Sequence, residues 1–409
     1  MTYDLLSGLR VVEGASFIAA PSCCLHMLQM GAEVIRFDPI GGGPDHGRWP
    51  KSPGGASLYW EGLNKGKKSI ALDLGRPEGR ELAQRLAAAP GEQGGLFVTN
   101  YPVDGFLSHD KLAALRPDLI SLRVMGWADG RPAVDYTVNA AIGIPMMTGP
   151  ESLGDAPVNH VLPAWDLLTG AYAAFALLAA ERRRRETGAG QEIRLPLADV
   201  ALMSLGHIGQ VAEVVVGGAD RPRMGNDLFG AFGRDFPIKD GRLMVVGLTK
   251  RQWTGLIEAL DLKSAVAAIE AEAGVSFAAD EGLRFIWRER LNPLFAAAMA
   301  SRTEADLGPV FDKLGVCWGP YRTVQSSMAD PRVWRPESAL FEDVTHPSGH
   351  TYPTPGPAID FTGQSRAAPP RAPRLGEHTD EVLAEVLGLA GGEIGRLHDA
   401  GLVAGAKAD

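Results

Sequence analysis

Cysteine is scarce: Cys23, Cys24 and Cys317 are the three in 409 residues. An odd, small number builds no disulfide framework, and the adjacent pair Cys23 and Cys24 lacks the C-x-x-C spacing of redox and zinc sites. Cys317, in Gly315-Val-Cys-Trp-Gly319, has no evident base beside it and reads as a packed apolar residue. Nine histidines occur, with no H-E-x-x-H. His346 and His350 are four apart but flank Pro347 and Gly349, so no helix presents them together, and no catalytic metal is expected. G-x-S-x-G is missing, against a serine hydrolase. G-x-G-x-x-G is missing, against a dinucleotide fold fingerprint. Gly62 to Ser69 imitates a nucleotide phosphate loop but has three residues between its glycines where four are required. The most apolar run, residues 167–180, is interrupted by Thr169 and Gly170 and falls short of the roughly 20 residues a bilayer demands. Residues 1–10 carry no basic-then-apolar signal. A cytoplasmic, reducing location is expected.

What is present is ordinary for a globular enzyme. Apolar residues make up 45% and charged residues 22%, enough to build a core and too apolar for wholesale disorder. Lysine and arginine number 40 against 49 acidic residues, net −9. Such a chain has no general attraction to nucleic acid or to anionic membranes. Fifty glycines and 29 prolines favour a loop-rich α/β enzyme over a helical bundle.

Residues 9–13 and 32–37 read as β-strands around a helix at 22–30 that Gly31 closes. Further strands are expected at 69–74, 95–100 and 119–124, with a helix at 78–89. This alternation argues for an open, mostly parallel α/β sheet. Residues 167–185 form the clearest helix, apolar nearly all round and so expected to be buried. It runs into Arg182 to Arg185, which suit a solvated helix C-terminus. Residues 196–216 read as one more helix. A hairpin at Lys239-Asp-Gly241 and charged helices to about 311 mark a change of texture. The expected division is a large domain over 1–224, a small domain over 225–325, and a return to the large domain over 326–409. Within that return, Pro-rich residues 347–373 read as a linker or wrapping segment.

Two features carry chemistry. Lys65, Lys67 and Lys68 lie on a turn before a strand, where ammonium groups suit phosphate oxygens; solvated lysines are the alternative. Asp166 follows Asn159-His-Val-Leu-Pro-Ala-Trp165 and begins the apolar helix. An aspartate there is an expected N-cap. The same place keeps a carboxylate ionised in an apolar surround, fit to attack an acyl carbon. Pattern alone leaves both readings open.

Several segments, in order along the whole chain, resemble the class III CoA-transferase family (CaiB/BaiF type), which also contains α-methylacyl-CoA racemases. They are Leu6-Ser-Gly-Leu-Arg-Val-Val-Glu13 with Ala19-Ala-Pro21, Met30-Gly-Ala-Glu-Val-Ile-Arg-Phe-Asp38, Asn64-Lys-Gly-Lys-Lys-Ser-Ile-Ala-Leu-Asp73, Phe97-Val-Thr-Asn100, the Asp166 segment, Thr187-Gly-Ala-Gly-Gln191 and Arg374-Leu-Gly-Glu-His-Thr379. Racemases place a proton-transferring histidine where this chain has Val134, before Asp135 and Tyr136. An alkyl group carries no proton, so racemisation is disfavoured.

The resemblance implies a Rossmann-like open parallel sheet in the large domain, a smaller α+β domain, and an interlocked homodimer. It implies Asp166 as nucleophile, CoA contacts from Ala19, Lys67 and Asn100, and no cofactor beyond CoA as part of the substrate. Among these residues Arg48-Trp-Pro50, Val158 to Asp166 and Gly230-Ala-Phe-Gly-Arg-Asp235 resemble the branch that moves CoA between the two carboxyl groups of one mesaconate, from mesaconyl-C1-CoA to mesaconyl-C4-CoA, in the 3-hydroxypropionate pathway of carbon fixation. Holding free mesaconate calls for cations, for which Arg48, Arg234 and Arg322 are the candidates; His160 would orient a carboxylate or stack in the core. Leu162, Trp165 and Phe229 would form an apolar wall that keeps water out. Rival readings are an intermolecular CoA-transferase using a separate acid and a CoA-binding regulator without activity.

Overall fold

A computed structural model describes residues 3–334 and 340–406. The chain divides into two units: one of residues 1–142, 160–217 and 338–409, the other of 143–159 and 218–337. The smaller unit thus begins at 218, where residue 225 is the sequence-based boundary, and takes in residues 143–159 from before Asp166.

In the larger unit β1 (Arg10–Gly14), α1 (Ala19–Gln29), β2 (Glu33–Pro39), α2 (Leu58–Asn64), β3 (Lys68–Leu72), α3 (Pro77–Ala87), β4 (Leu96–Thr99), α4 (His109–Leu115), β5 (Ile120–Met125) and α5 (Asp135–Ala141) follow one another. After the short α6 (Ile144–Met147) of the smaller unit come α7 (Ala164–Thr187), β6 (Gln191–Pro196), α8 (Leu197–His207) and α9 (Gln210–Gly217). Strands β1 to β6 are parallel, in the order β3-β2-β1-β4-β5-β6. A last strand (Val403–Ala404) closes the β3 edge antiparallel.

Strands β1 to β5 are almost wholly buried because helices cover both faces, as a parallel sheet requires, while the edge strand β6 is only half-buried. One face packs Val11, Val34, Val98 and Leu122 against Cys23, Cys24 and Met27 of α1 and Ala173 and Leu177 of α7. The other packs Val12, Phe37 and Phe97 against Leu82 and Leu86 of α3 and Val382 and Leu383 near the C-terminus. Chain order reverses between β1 and β4, the switch point at which sheets of this kind usually take a ligand.

Four expectations are corrected. Helix α7 is not buried all round: Gly170, Ala173, Ala174, Leu177 and Ala180 face the core, but Leu168, Tyr172 and Phe175 are exposed on the single chain. Of its terminal arginines Arg184 is buried and donates to the carbonyls of Gly94 and Gly95, so the basic run is only partly a solvated end. Residues 196–216 make two helices bent by 65°, with Gly209 at φ +80° at the break. Cys317 is exposed, because it opens an edge strand (Cys317–Pro320) of a small sheet. No single helix among the described residues is long and apolar enough to cross a membrane, and only the bent pair α8 and α9 passes that test jointly.

The smaller unit has the expected hairpin, Phe232–Ile238 with Gly241–Gly247, joined antiparallel by Cys317–Pro320. Phe232, Phe236, Trp253, Phe295 and Phe311 fill its core beneath helices such as Lys250–Ala259 and Arg288–Met299. In the larger unit the Pro-rich return contains a hairpin, Phe341–Thr345 with Thr351–Pro355. It is fixed to α2 through Glu61, which accepts from the Ser348 N–H and the Tyr352 hydroxyl.

Candidate active site

The switch point is sutured by short polar contacts. The Asn100 amide donates to the Ser16 carbonyl at 2.9 Å and accepts the Ser16 N–H at 3.2 Å. Thr99 donates its hydroxyl to the Gly14 carbonyl at 2.8 Å. Phe17 follows at φ +72°, a left-handed conformation that costs an ordinary residue free energy and persists where surroundings enforce it. Its N–H bonds the Asp45 carboxylate at 3.1 Å. Ala19 then opens α1 and is buried.

Asp45 is held in turn by Arg36, at 2.8 and 3.0 Å. The buried Arg36 guanidinium also pairs with Asp38 and Glu13 and bonds Asn64. Lys67 completes the cluster, donating to Glu13 at 2.7 Å, to the Pro21 carbonyl at 3.0 Å and to Asn64 at 3.1 Å. Two cations among three carboxylates satisfy one another, which is what makes their burial tolerable. Burial still pushes the Asp38 carboxyl upward against the opposing pull of Arg36.

This corrects the reading of the lysine turn. All three N–H bonds of Lys67 are spent inside the protein, and its side chain is inaccessible. Lys65 donates to the Gly62 carbonyl, and burial with the nearby Lys67 charge lowers it to about 8. Lys68 pairs with Glu33 at 2.8 Å and Glu381 at 2.6 Å. Residues adjacent to a buried carboxylate cluster find partners there before any phosphate arrives.

Asp166 lies near the switch point, within electrostatic reach of Arg48 and Tyr59. Helix α7 starts at Ala164 after Pro163, so Asp166 is its third residue and not its N-cap. Proline there supplies no side-chain acceptor. Asp135, the first residue of α5, takes that role from another helix: one carboxylate oxygen accepts the N–H of Trp165 at 2.7 Å and of Asp166 at 3.1 Å. The other oxygen pairs with Nε2 of His160. The Trp165 indole N–H reaches Asn139, one turn along α5, at 3.0 Å. Gly170, one turn beyond Asp166, permits the helix crossing: a Cβ there would lie 1.9 Å from the Ser22 hydroxyl and 2.8 Å from the Ala19 carbonyl. Helix α7 is thereby pressed against the first turn of α1, and Asp166 is brought to the switch point.

Burial first, and the Asp135 charge second, raise the Asp166 carboxyl to about 6, with Arg48 opposing. Arg48 is exposed, its guanidinium 5.4 Å from the Phe17 ring and 5.5 Å from the Tyr59 ring. It makes no ion pair among the described residues. The Tyr59 hydroxyl is buried and has no hydrogen-bond partner there. Burial, with Asp45 and Asp166 near, pushes its pKa well above the usual phenol range against the pull of Arg48, so it stays protonated and a donor. A carboxylate of raised basicity, a guanidinium outside any ion pair and an unsatisfied phenol thus stand near one another, a set suited to acyl transfer and to holding an anion.

Of the residues named from sequence, Asp166, Arg48, His160, Ala19 and Asn100 belong to this end of the larger unit. Arg234 and Arg322 belong to the smaller one and are committed there: Arg234 to Asp227 at 3.1 Å, Arg322 to Glu304 at 2.6 Å and Asp330 at 3.4 Å. Phe229 packs on Phe285 in that unit, under the Arg221 guanidinium. Leu162 is exposed and Trp165 half-buried. Sequence reasoning missed Asp135 and Tyr59. Asp135 stands in the segment that argued against racemisation, but its contact is long-range; Tyr59 in Ser57-Leu-Tyr-Trp60 gave no signal. No group of three or more histidine, cysteine, aspartate or glutamate residues suited to a metal occurs among the described residues.

The profile of CoA-transferase family III matches residues 6–379. The chain belongs to that family and is an enzyme of the CoA-transferase class. It is 50% identical to the 2-methylfumaryl-CoA isomerase of Chloroflexus aurantiacus over 98% of both chains. It is 29% identical to the human succinyl-CoA:glutarate CoA-transferase, covering 97% of this chain and 90% of that one. A CaiB/BaiF family protein from Brucella suis shares the fold with a TM-score of 0.75 and 26% identity, over 94% of this chain and all of the other.

Proposed function

We propose that this enzyme moves CoA between the two carboxyl groups of one mesaconate (2-methylfumarate), converting mesaconyl-C1-CoA to mesaconyl-C4-CoA with Asp166 as covalent carrier. The observation that carries the reading is the Asp166 carboxylate itself, half-buried at the switch point yet ionised at neutral pH, with Arg48 and Tyr59 beside it. The 50% identity to an enzyme named 2-methylfumaryl-CoA isomerase supports the choice of substrate.

Asp166 attacks the C1 thioester carbon, and the C–S bond breaks to give a mixed anhydride and CoA thiolate. The thiolate attacks the aspartyl carbon, releasing mesaconate and leaving an aspartyl-CoA thioester. Mesaconate turns and its C4 carboxylate attacks that thioester. The thiolate so freed attacks the C4 acyl carbon, which yields the C4 thioester and restores Asp166. The C1, aspartyl and C4 thioesters are of similar energy, so the transfer consumes no nucleotide. The oxyanion needs donors. The first N–H groups of α7 are not available for it, because Asp135 and nearby carbonyls hold them; Tyr59 is a donor without a partner. Arg48 supplies the carboxylate grip by its forked N–H pairs. Arg234 and Arg322 would have to release their own carboxylates first, so they rank behind it. Ala19 and Asn100 line the CoA crevice, while Lys67 steadies it from below.

The exposed apolar faces of α7 and α9, with Tyr172, Phe175, Val211 and Val215, support a homodimer as the working form. A reducing cytoplasm suits the buried, unpaired Cys23 and Cys24, and carbon fixation through 3-hydroxypropionate is the setting the substrate implies.

Incubation with mesaconyl-C1-CoA alone tests the reading. Conversion to the C4 ester, with little uptake of labelled external mesaconate or succinate, is expected. Absence of conversion until a second acid is added would replace it with intermolecular transfer, the activity that the human relative's name describes.

A further inference from the structure

A helix start normally presents several unbonded N–H groups. At α7 none of the first four is open: Ala164 donates to the Leu162 carbonyl at 2.8 Å, Trp165 and Asp166 donate to Asp135, and Leu167 donates to the Pro163 carbonyl at 3.1 Å. The Asp135 side chain is buried and receives two backbone N–H groups on one oxygen and an imidazole on the other. That is a complete set of partners for a carboxylate, and it places a second negative charge against the reacting one. An uncharged cap, a serine or an asparagine, would close the helix equally well. The charge is the feature that capping does not explain.

We propose that Asp135, anchored by His160, is a positioning residue for Asp166: it fixes the first turn of α7 and supplies the negative field that keeps the attacking carboxylate basic. The proposal rests on Asp166 being the nucleophile. A more basic carboxylate is the better nucleophile toward a thioester, provided that it remains ionised at the working pH, and Asp166 meets both conditions. His160 acts through Asp135. Its ring holds the outer oxygen, shares the charge and sets how much of it Asp166 meets. The His160 ring is itself steadied by Tyr136 and Trp165, with centroids at 5.7 and 6.4 Å.

The groups that face Asp166 from the surrounding elements are Asp135 on α5, His160 in the segment before α7, Arg48 in the loop after β2, and Tyr59 on α2, whose phenol also meets the charge of Asp45. Two substitutions separate their effects. Asp135→Asn keeps an oxygen for the two N–H groups and removes the charge. His160→Leu keeps the charge and leaves it unshared. Their effects on Asp166 should have opposite signs.

The test is a carbon-13 carboxyl titration of the full-length protein, with the Asp166 signal assigned by its loss in Asp166→Asn, alongside the acid limb of kcat/KM. In Asp135→Asn the midpoint of Asp166 is expected to fall by about one pH unit, with the plateau rate reduced severalfold. In His160→Leu it is expected to rise. Circular dichroism reports whether each variant folds, and Asp135→Ser, a smaller neutral cap, provides a second removal of charge. An unchanged Asp166 midpoint in both neutral variants would reduce Asp135 to a helix cap and overturn the proposal. The titration does not depend on turnover. If Asp166→Ala stays active while the midpoints shift as stated, the nucleophile assignment fails and the electrostatic one survives.

Discussion

Asp166 embodies a conflict between stability and chemistry. Its pKa lies above the unfolded value of 3.8, at about 6, because burial and Asp135 both disfavour the charge. The folded state therefore holds a proton between these two pH values that the unfolded chain has lost. The cost of ionising Asp166 is absent below the unfolded value and fully present above about 6. Asp166→Asn should therefore stabilise the protein at pH 7.5 by about 1–2 kcal/mol, a figure discounted for solvent screening of a half-buried group, with no gain at pH 3.5. Paired denaturant titrations at the two pH values check it. The wild-type kcat/KM should rise through pH 6 to a plateau, since only the ionised carboxylate attacks. Asp166 itself was legible in sequence through its place after Pro163-Ala-Trp165 and through family resemblance. Its electrostatics were not, because Asp135 lies 31 residues away in the chain and Arg48 more than a hundred.

At the scale of elements, the strands were the legible part. Runs rich in β-branched and other apolar residues locate β1 to β5 to within a residue or two, although the buried Glu13, Arg36, Asp38 and Arg123 interrupt them. Helices were harder to bound. Residues 196–216 are apolar on both sides of Gly209, so composition gave no reason to place a bend there. Helix α7 looked buried throughout because apolar content does not say whether the covering surface belongs to the same chain. The lysine turn misled for a related reason: Glu13 and Asn64, which take up Lys67, come from a strand and a helix that meet only after folding. One contact between elements positions the site more than any other. Gly170→Ala would set a methyl group against the Ala19 carbonyl and the Ser22 hydroxyl. Ser22 can rotate, but the carbonyl is backbone at 2.8 Å, so α7 must retreat from α1. A loss of about 1–3 kcal/mol is expected, with kcat falling more than tenfold as Asp166 leaves its place. Adding Ser22→Ala should restore only part of either, which thermal melts and steady-state rates on the single and double variants would establish.

The whole molecule leaves an apolar surface that a single chain does not cover. Phe175 is 65% exposed, Val215 78% and Val216 87%. Large exposed apolar side chains such as these on α7 and α9 mark an interface more often than a free surface. Sedimentation of the wild-type protein should give a dimer. Phe175→Glu, far along α7 from Asp166 and clear of the core, should shift it toward monomer, and an unchanged dimer would move the interface elsewhere. The two units carry separate cores, so loss of self-association is expected to leave circular dichroism largely intact.

Transfer of CoA by this route passes through a covalent bond to one residue, and that bond is directly observable. Enzyme mixed with mesaconyl-C1-CoA, quenched during turnover with hydroxylamine or borohydride and digested, should show the peptide that contains Asp166 modified as the hydroxamate or the reduced alcohol. The same peptide from enzyme without substrate should be unmodified. Repeated failure to find the modification under turnover, or its appearance on another carboxylate, would contradict the central claim.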